Sequence, residues 1–152
     1  MNTKRTLITL TILLLTTSWS FAGNGRCSTA TVAGTWGFTL AGSLLTPSGP
    51  VPAAAIGRTV ADVNGNLSGA EARNVGGGYA DETFIGSWTV NPDCTGNMTI
   101  NIYESGQLVR TSALSMVFDE FAREARMVQQ SLTLPNGVQV PVVLTLEGKK
   151  QF

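Results

Sequence analysis

Few residue types in this chain can do chemistry, and histidine is not among them. Its absence removes His-based triads, His metal sites and imidazole acid–base catalysis together. No Gly-x-Ser-x-Gly elbow occurs either. Gly76-Gly77-Gly78 lacks the Lys-Ser/Thr and following helix of a phosphate loop, so it reads as a hinge or turn. Asp81 and Glu82 are adjacent carboxylates. Neighbours on a strand point to opposite faces, so this pair is expected in a solvated loop rather than in a calcium or acid–base site. The sequence implies no metal and no cofactor.

The remaining candidates are arginines, one glutamate and a set of aromatics. Taken with period two, Ile56, Arg58, Val60 and Asp62 share a face. So do Leu67, Gly69, Glu71 and Arg73, and likewise Glu124, Arg126, Val128 and Gln130. If these faces line a cavity, Arg58, Glu71 and Arg126 can hold an anionic head group. The planar guanidinium fork gives a carboxylate two parallel hydrogen bonds. The alternative is that the same faces are external and solvated, as charged residues mostly are. A slip of one residue decides between the two. Trp36, Phe38, Phe84 and Trp88 are expected in a lumen or core, where they either line an apolar ligand site or fill it. Ala53, Ala54, Ala55, Gly57 and Gly86 suggest room inside.

The elements that position these residues are strands. Trp36, Phe38 and Leu40 alternate in a strand near 35–43, and a second strand follows near 54–63. Between them, Thr46-Pro47-Ser48-Gly49-Pro50-Val51-Pro52 is expected to be loop. Asn64-Gly65 is a hairpin signal leading to a third strand near 67–74. Further strands are predicted near 83–90, 97–103, 108–118, 124–134 and 138–146, each reached by a turn-rich connection. Eight consecutive strands with short connections pair antiparallel and can close into an up-and-down barrel. Such a barrel is filled by side chains or holds one small ligand. The competing architecture is a two-sheet sandwich.

Residues 1–22 read as a secretory signal peptide. Lys4 and Arg5 precede the apolar stretch from Leu7 to Leu15, and Ser20-Phe21-Ala22 supplies a small-residue cleavage site. That stretch is far shorter than the about 20 residues needed to span about 30 Å of hydrocarbon. Cleavage after Ala22 leaves residues 23–152 as a single β-barrel domain, secreted or periplasmic, with no stable membrane insertion. It carries 8 basic against 10 acidic groups, and no basic run stands out, so nucleic acid is not expected as a partner. The two cysteines, Cys27 and Cys94, are expected to form a disulfide in an oxidising compartment. The terminal Phe152 fits an outer-membrane barrel, but Gly148-Lys149-Lys150-Gln151 breaks the alternation before it and aromatics for two girdles are scarce.

Gly34-Thr35-Trp36 on the first strand resembles the lipocalin and wider calycin signature. In those families the Trp closes one barrel end, and a basic residue from a late strand packs across it. The resemblance assigns the first role to Trp36 and leaves Arg126, Lys149 and Lys150 open for the second. The chain departs from lipocalins in their long first-loop signature and C-terminal helix. A resemblance to small secreted proteins of environmental bacteria rests on Gly34-Thr35-Trp36-Gly37-Phe38, the Asn64-Gly65-Asn66-Leu67-Ser68-Gly69 hairpin and Thr89-Val90-Asn91-Pro92-Asp93-Cys94-Thr95-Gly96. It implies export, a disulfide and a compact β fold, and gives no residue a catalytic role.

Three functions follow as expectations. The first is a calycin-like barrel binding a small apolar or amphipathic ligand against Trp36, Phe38, Phe84 and Trp88, with Arg58 or Arg126 near any acidic group. The second is a cyclase or isomerase acting by substrate confinement, with Glu71 or Tyr79 assisting proton transfer. The third is a filled structural barrel without ligand.

Overall fold

The computed structural model describes residues 27–119 and 121–151. The predicted signal peptide and Phe152 therefore lie outside the described residues. A four-residue helix, α1 (Thr29–Val32), precedes eight strands: β1 (Gly34–Thr46), β2 (Gly49–Ala61), β3 (Asn66–Val75), β4 (Gly78–Val90), β5 (Thr95–Glu104), β6 (Gln107–Phe118), β7 (Glu124–Thr133) and β8 (Val142–Lys150). They form a closed antiparallel barrel in sequence order. The sheet closes where β8 returns to β1, from Trp36 opposite Lys150 to Leu44 opposite Val142. Closure leaves no unpaired edge. The architecture is the expected up-and-down barrel, and the two-sheet alternative is excluded.

Three boundaries depart from the sequence reading. The Pro-rich stretch is strand except for Pro47 and Ser48: Pro50 pairs with Leu45 and Pro52 with Ser43. The Gly76 N–H donates to the Pro52 carbonyl. A strand residue's N and C=O point the same way, so the Pro52 nitrogen faces a position just past the end of β3, where no ladder bond is lost. The fourth strand begins at Gly78, because Gly76 and Gly77 make the whole turn with φ of 58° and 92°. The eighth strand starts at Val142 rather than near Val138, and it runs through Gly148 and Lys149 to Lys150. Its end is held by pairing with β1.

One end of the barrel is sealed. Trp36, Trp88 and Phe118 pack as tilted rings, with centroids 5.8 Å apart for Trp36–Phe118 and 6.4 Å for Trp88–Phe118. Helix α1 lies at this end, and its Val32 is fully buried. The Trp36 indole N–H donates to the Val32 carbonyl at 3.1 Å. Lys150 Nζ donates to the Thr31 carbonyl at 2.9 Å and stands 6.0 Å from the Trp36 ring centroid. Of the three basic residues left open by the calycin resemblance, Lys150 is the one beside Trp36. The Cys27–Cys94 disulfide ties the start of this plug to the β4–β5 turn, 67 residues away. The β1–β2, β3–β4, β5–β6 and β7–β8 connections crowd the opposite end.

Crosslinking across a loop of that size stabilises by about 4 kcal/mol through the unfolded chain's lost entropy. Urea unfolding of the Cys27→Ser/Cys94→Ser protein is expected to show a loss of about that size with an unchanged β-rich circular dichroism spectrum.

Candidate functional site

Alternation sends one face of each strand into the lumen. On β2 the inward residues are small: Ala53, Ala55 and Ala61 are buried, whereas Ile56 and Val60 are exposed. Across from them, Phe38 and Phe84 meet edge to face with centroids 6.0 Å apart. Phe38 is opposite Gly57, and Phe84 is opposite Gly69. A Cβ on Gly57 would stand 2.5 Å from both the Phe38 ring and the Ala70 carbonyl oxygen. The two glycines thus give the rings room to lie over the sheet.

The interior is not completely filled. A cavity of about 290 Å³ runs through it. Trp36, Phe38, Phe84 and Trp88, the aromatics expected at a ligand site, all line it. Most of the remaining wall is aliphatic, and the polar side chains on it include Glu71, Arg73, Arg110, Ser112 and Gln129. The Trp88 indole N–H is buried and has no hydrogen-bond partner among the described residues. An unsatisfied buried donor costs about 1–3 kcal/mol, so an acceptor atom brought to it would be favoured.

The polar residues form a cluster toward the end opposite the Trp36–Trp88–Phe118 seal. Glu71 on β3 and Glu82 on β4 are directly opposite each other. Two ionised carboxylates so placed repel, and arginine resolves the conflict. Arg110, reaching from β6, donates from Nη1 to Glu82 Oε1 at 2.6 Å and from Nη2 to Glu82 Oε2 at 2.6 Å. The same Nη2 donates to Glu71 Oε1 at 2.9 Å. Arg73 Nε donates to Glu82 Oε1 at 2.8 Å, and its Nη2 is 3.5 Å from Glu104 Oε2 at the rim. The side chains of Glu82 and Glu71 are 0% and 5% exposed, and that of Arg110 is 15% exposed. Nearby, Gln129 Nε2 donates to Ser112 Oγ and to the Ser131 carbonyl, both at 3.0 Å.

The two carboxyls are electrostatically unequal. Burial pushes Glu71 up to about 7 against the pull of Arg110, and a hydrogen bond with Glu82 and its charge add to the rise. Burial also works to raise Glu82. There the hydrogen bonds and charge of Arg110 and Arg73 prevail and hold it below the usual carboxylate range. Glu82 is the permanent anion of the cluster, and Glu71 is the group that gains and loses a proton near neutrality.

The charged residues singled out from sequence divide. Glu71 faces the lumen, but Arg58 and Arg126 are exposed on the outer wall. The odd-numbered face of β2 and the Ala125–Met127–Gln129 face of β7 are the inward ones, because they carry the residues small or apolar enough to be enclosed. Tyr79, considered for proton transfer, is 66% exposed, and its hydroxyl donates to Asp81 at 2.6 Å on the outside. Glu82, expected in a solvated loop, is instead deeply buried.

Arg110 escaped the sequence reading. Its place in the Arg110–Ser112–Leu114–Met116–Phe118 alternation was the available signal. Beside it, the β5–β6 register shifts, with Tyr103 opposite Leu108 and Ile102 opposite Arg110. Val109 is the extra residue, so Val109 and Arg110 both line the lumen although they are consecutive.

No protein-family model matches the chain, and no curated protein matches it in sequence. Among solved structures it is similar to the S-type phycobiliprotein lyase CPES from Guillardia theta, with 8% identity and a TM-score of 0.48. The match covers 85% of this chain and 96% of that one.

Opposite pH responses follow for the two carboxyls. Glu71 has a folded value of about 7 against an ordinary 4.5. Its contribution is complete below the ordinary value and is lost as pH rises through the folded one. Glu82, held low, contributes above its ordinary value and loses that contribution as pH falls through its depressed one. Between about pH 5 and pH 8 the native protein is therefore expected to lose about 3 kcal/mol relative to Glu71→Gln, measured by urea titration at each pH. Glu82→Ala leaves Arg110 with Glu71 and Arg73 with the rim residue Glu104 as their remaining partners and is expected to cost about 3 kcal/mol.

Proposed function

We propose that this protein is an exported barrel that binds one small amphipathic ligand in its lumen. The observation that carries the reading is the cavity of about 290 Å³, with an aromatic and aliphatic wall and a compact set of charged and amide groups toward one end. Ligand sites are mostly apolar with a few placed polar groups, and this volume is at the small end of their range. The ligand's apolar body packs against Trp36, Phe38, Phe84 and Trp88, and its polar end meets the Arg110 cluster. Arg110 takes the role that the sequence suggested for Arg58 or Arg126.

Export is part of the proposal. The basic and apolar pattern of residues 1–22 reads as a cleavable signal, and a disulfide between Cys27 and Cys94 suits an oxidising compartment. The described residues contain no helix long and apolar enough to cross a membrane.

A confinement enzyme is the second reading, favoured by one observation. Glu71 is a carboxyl poised near neutrality that lines an apolar lumen, a suitable setting for a general acid or base.

The deciding experiment is to express the full chain and weigh the purified product under native and denaturing conditions. A mass beginning at Gly23, two hydrogens lighter than the dithiol form, with a small molecule lost on denaturation, supports the carrier. Release of a chemically altered molecule after incubation supports the enzyme. A bare protein that also ignores apolar probes overturns both. Ala55→Phe puts a ring into the lumen from β2. It is expected to weaken probe uptake more than about tenfold while the barrel spectrum persists.

A further inference from the structure

The polar cluster also bears on what kind of head group the lumen accepts, and when. This inference rests on the carrier reading and deepens it. We propose that the ligand carries an anionic head group that seats against Arg110, and that it enters together with a proton taken up by Glu71.

The geometry makes Glu71 the replaceable partner. Glu82 receives three hydrogen bonds, two of them the paired donors of Arg110, and its side chain is fully enclosed. Glu71 receives one, from Arg110 Nη2, and it lines the cavity, whereas Glu82 does not. An incoming anion that takes the Glu71 place on Nη2 leaves the Arg110–Glu82 pair intact. If Glu71 stays ionised, two carboxylates and the ligand anion crowd the same guanidiniums. If Glu71 is protonated, it is a weaker partner for Nη2 and bears no charge against the ligand.

Charge counting gives the same answer. Around Glu71 the charged groups are Arg73 on its own strand, Glu82 on β4 and Arg110 on β6, with Glu104 of β5 at the rim beyond Arg73. On β2, Ala55 and Gly57 stand alongside, and neither is charged. The four inner groups sum to zero with Glu71 ionised and to one positive charge with it protonated. Glu104 is 44% exposed, and its charge is the same in both states, so the change on protonation stays one unit. Proton uptake near neutrality is within reach of Glu71, which burial has already raised.

The test uses three probes with one chain length: decanoate, decanol and decylamine, added to the purified product of the expressed full chain. Calorimetry is run between about pH 6 and pH 9 in buffers of different ionisation enthalpy. Decanoate is expected to take up close to one proton per molecule at pH 8 and to bind about tenfold more weakly for each pH unit above 7. Decanol is expected to bind without that slope. In Glu71→Gln, a near-isosteric change, decanoate binding should lose both the slope and the proton uptake.

Decanoate binding without proton uptake, a slope that persists in Glu71→Gln, or tighter binding of decylamine than of decanoate overturns the inference. In those cases decanol binding leaves the carrier reading standing. Failure of all three probes to bind overturns the carrier reading and the inference with it.

Discussion

Closure of the sheet on itself is the constraint on which the rest depends. Because β1 pairs with both β2 and β8, every strand has a neighbour on each side and one face of every strand is enclosed. Enclosure then decides what each inward side chain must be. Where the wall needs to pass close to a ring, the residue is Gly57 or Gly69. Where a charge is enclosed, it has to bring its counter-charge with it, since an isolated buried ion costs several kcal/mol. Glu71 and Glu82 face each other on adjacent strands, and Arg110 and Arg73 are what make that pairing tolerable.

The two ends of the lumen are built differently. At the sealed end the contacts are rings, a helix turn, a disulfide and a lysine over an indole. These hold a plug in place and offer a ligand little beyond apolar surface and the Trp88 N–H. Toward the other end the barrel carries its ion cluster and the Gln129–Ser112 pair. A ligand that is apolar at one end and charged at the other matches this gradient. On the proposed reading, the polarity of the cavity along its length, more than its volume, would select the ligand.

Much of the fold was legible from residue order. Period-two alternation in Trp36–Phe38–Leu40 gave a strand, and Trp36, Phe38, Phe84 and Trp88, expected in a lumen or core, all line the lumen. The Asn64-Gly65 turn was placed correctly between β2 and β3. The Gly34-Thr35-Trp36 resemblance placed Trp36 at a barrel end. The prolines misled, because a proline's effect depends on which side of the strand lacks a neighbour, and the sequence does not carry that. Residue order leaves the face of β2 open between lumen and solvent. Ile56 and Val60 are apolar yet exposed, and the inward face carries the smaller Ala53, Ala55, Thr59 and Ala61.

The sequence by itself determined the strand number, their order, the pairing chemistry of the cysteines and which residues are apolar enough to be enclosed. These are local properties, set by alternation, turn composition and side-chain type. Tertiary structure alone decided the charged site. Glu71, Glu82 and Arg110 come together only when the four strands β3 to β6 are in register, and the β5–β6 bulge sets where Arg110 sits against Ile102. Burial pushes both carboxyls up; it raises Glu71, whereas the hydrogen bonds and charge of Arg110 and Arg73 hold Glu82 low. Arg110, which bonds both carboxyls, is 28 residues from Glu82 and 39 from Glu71 along the chain, so its influence has no local signature to read.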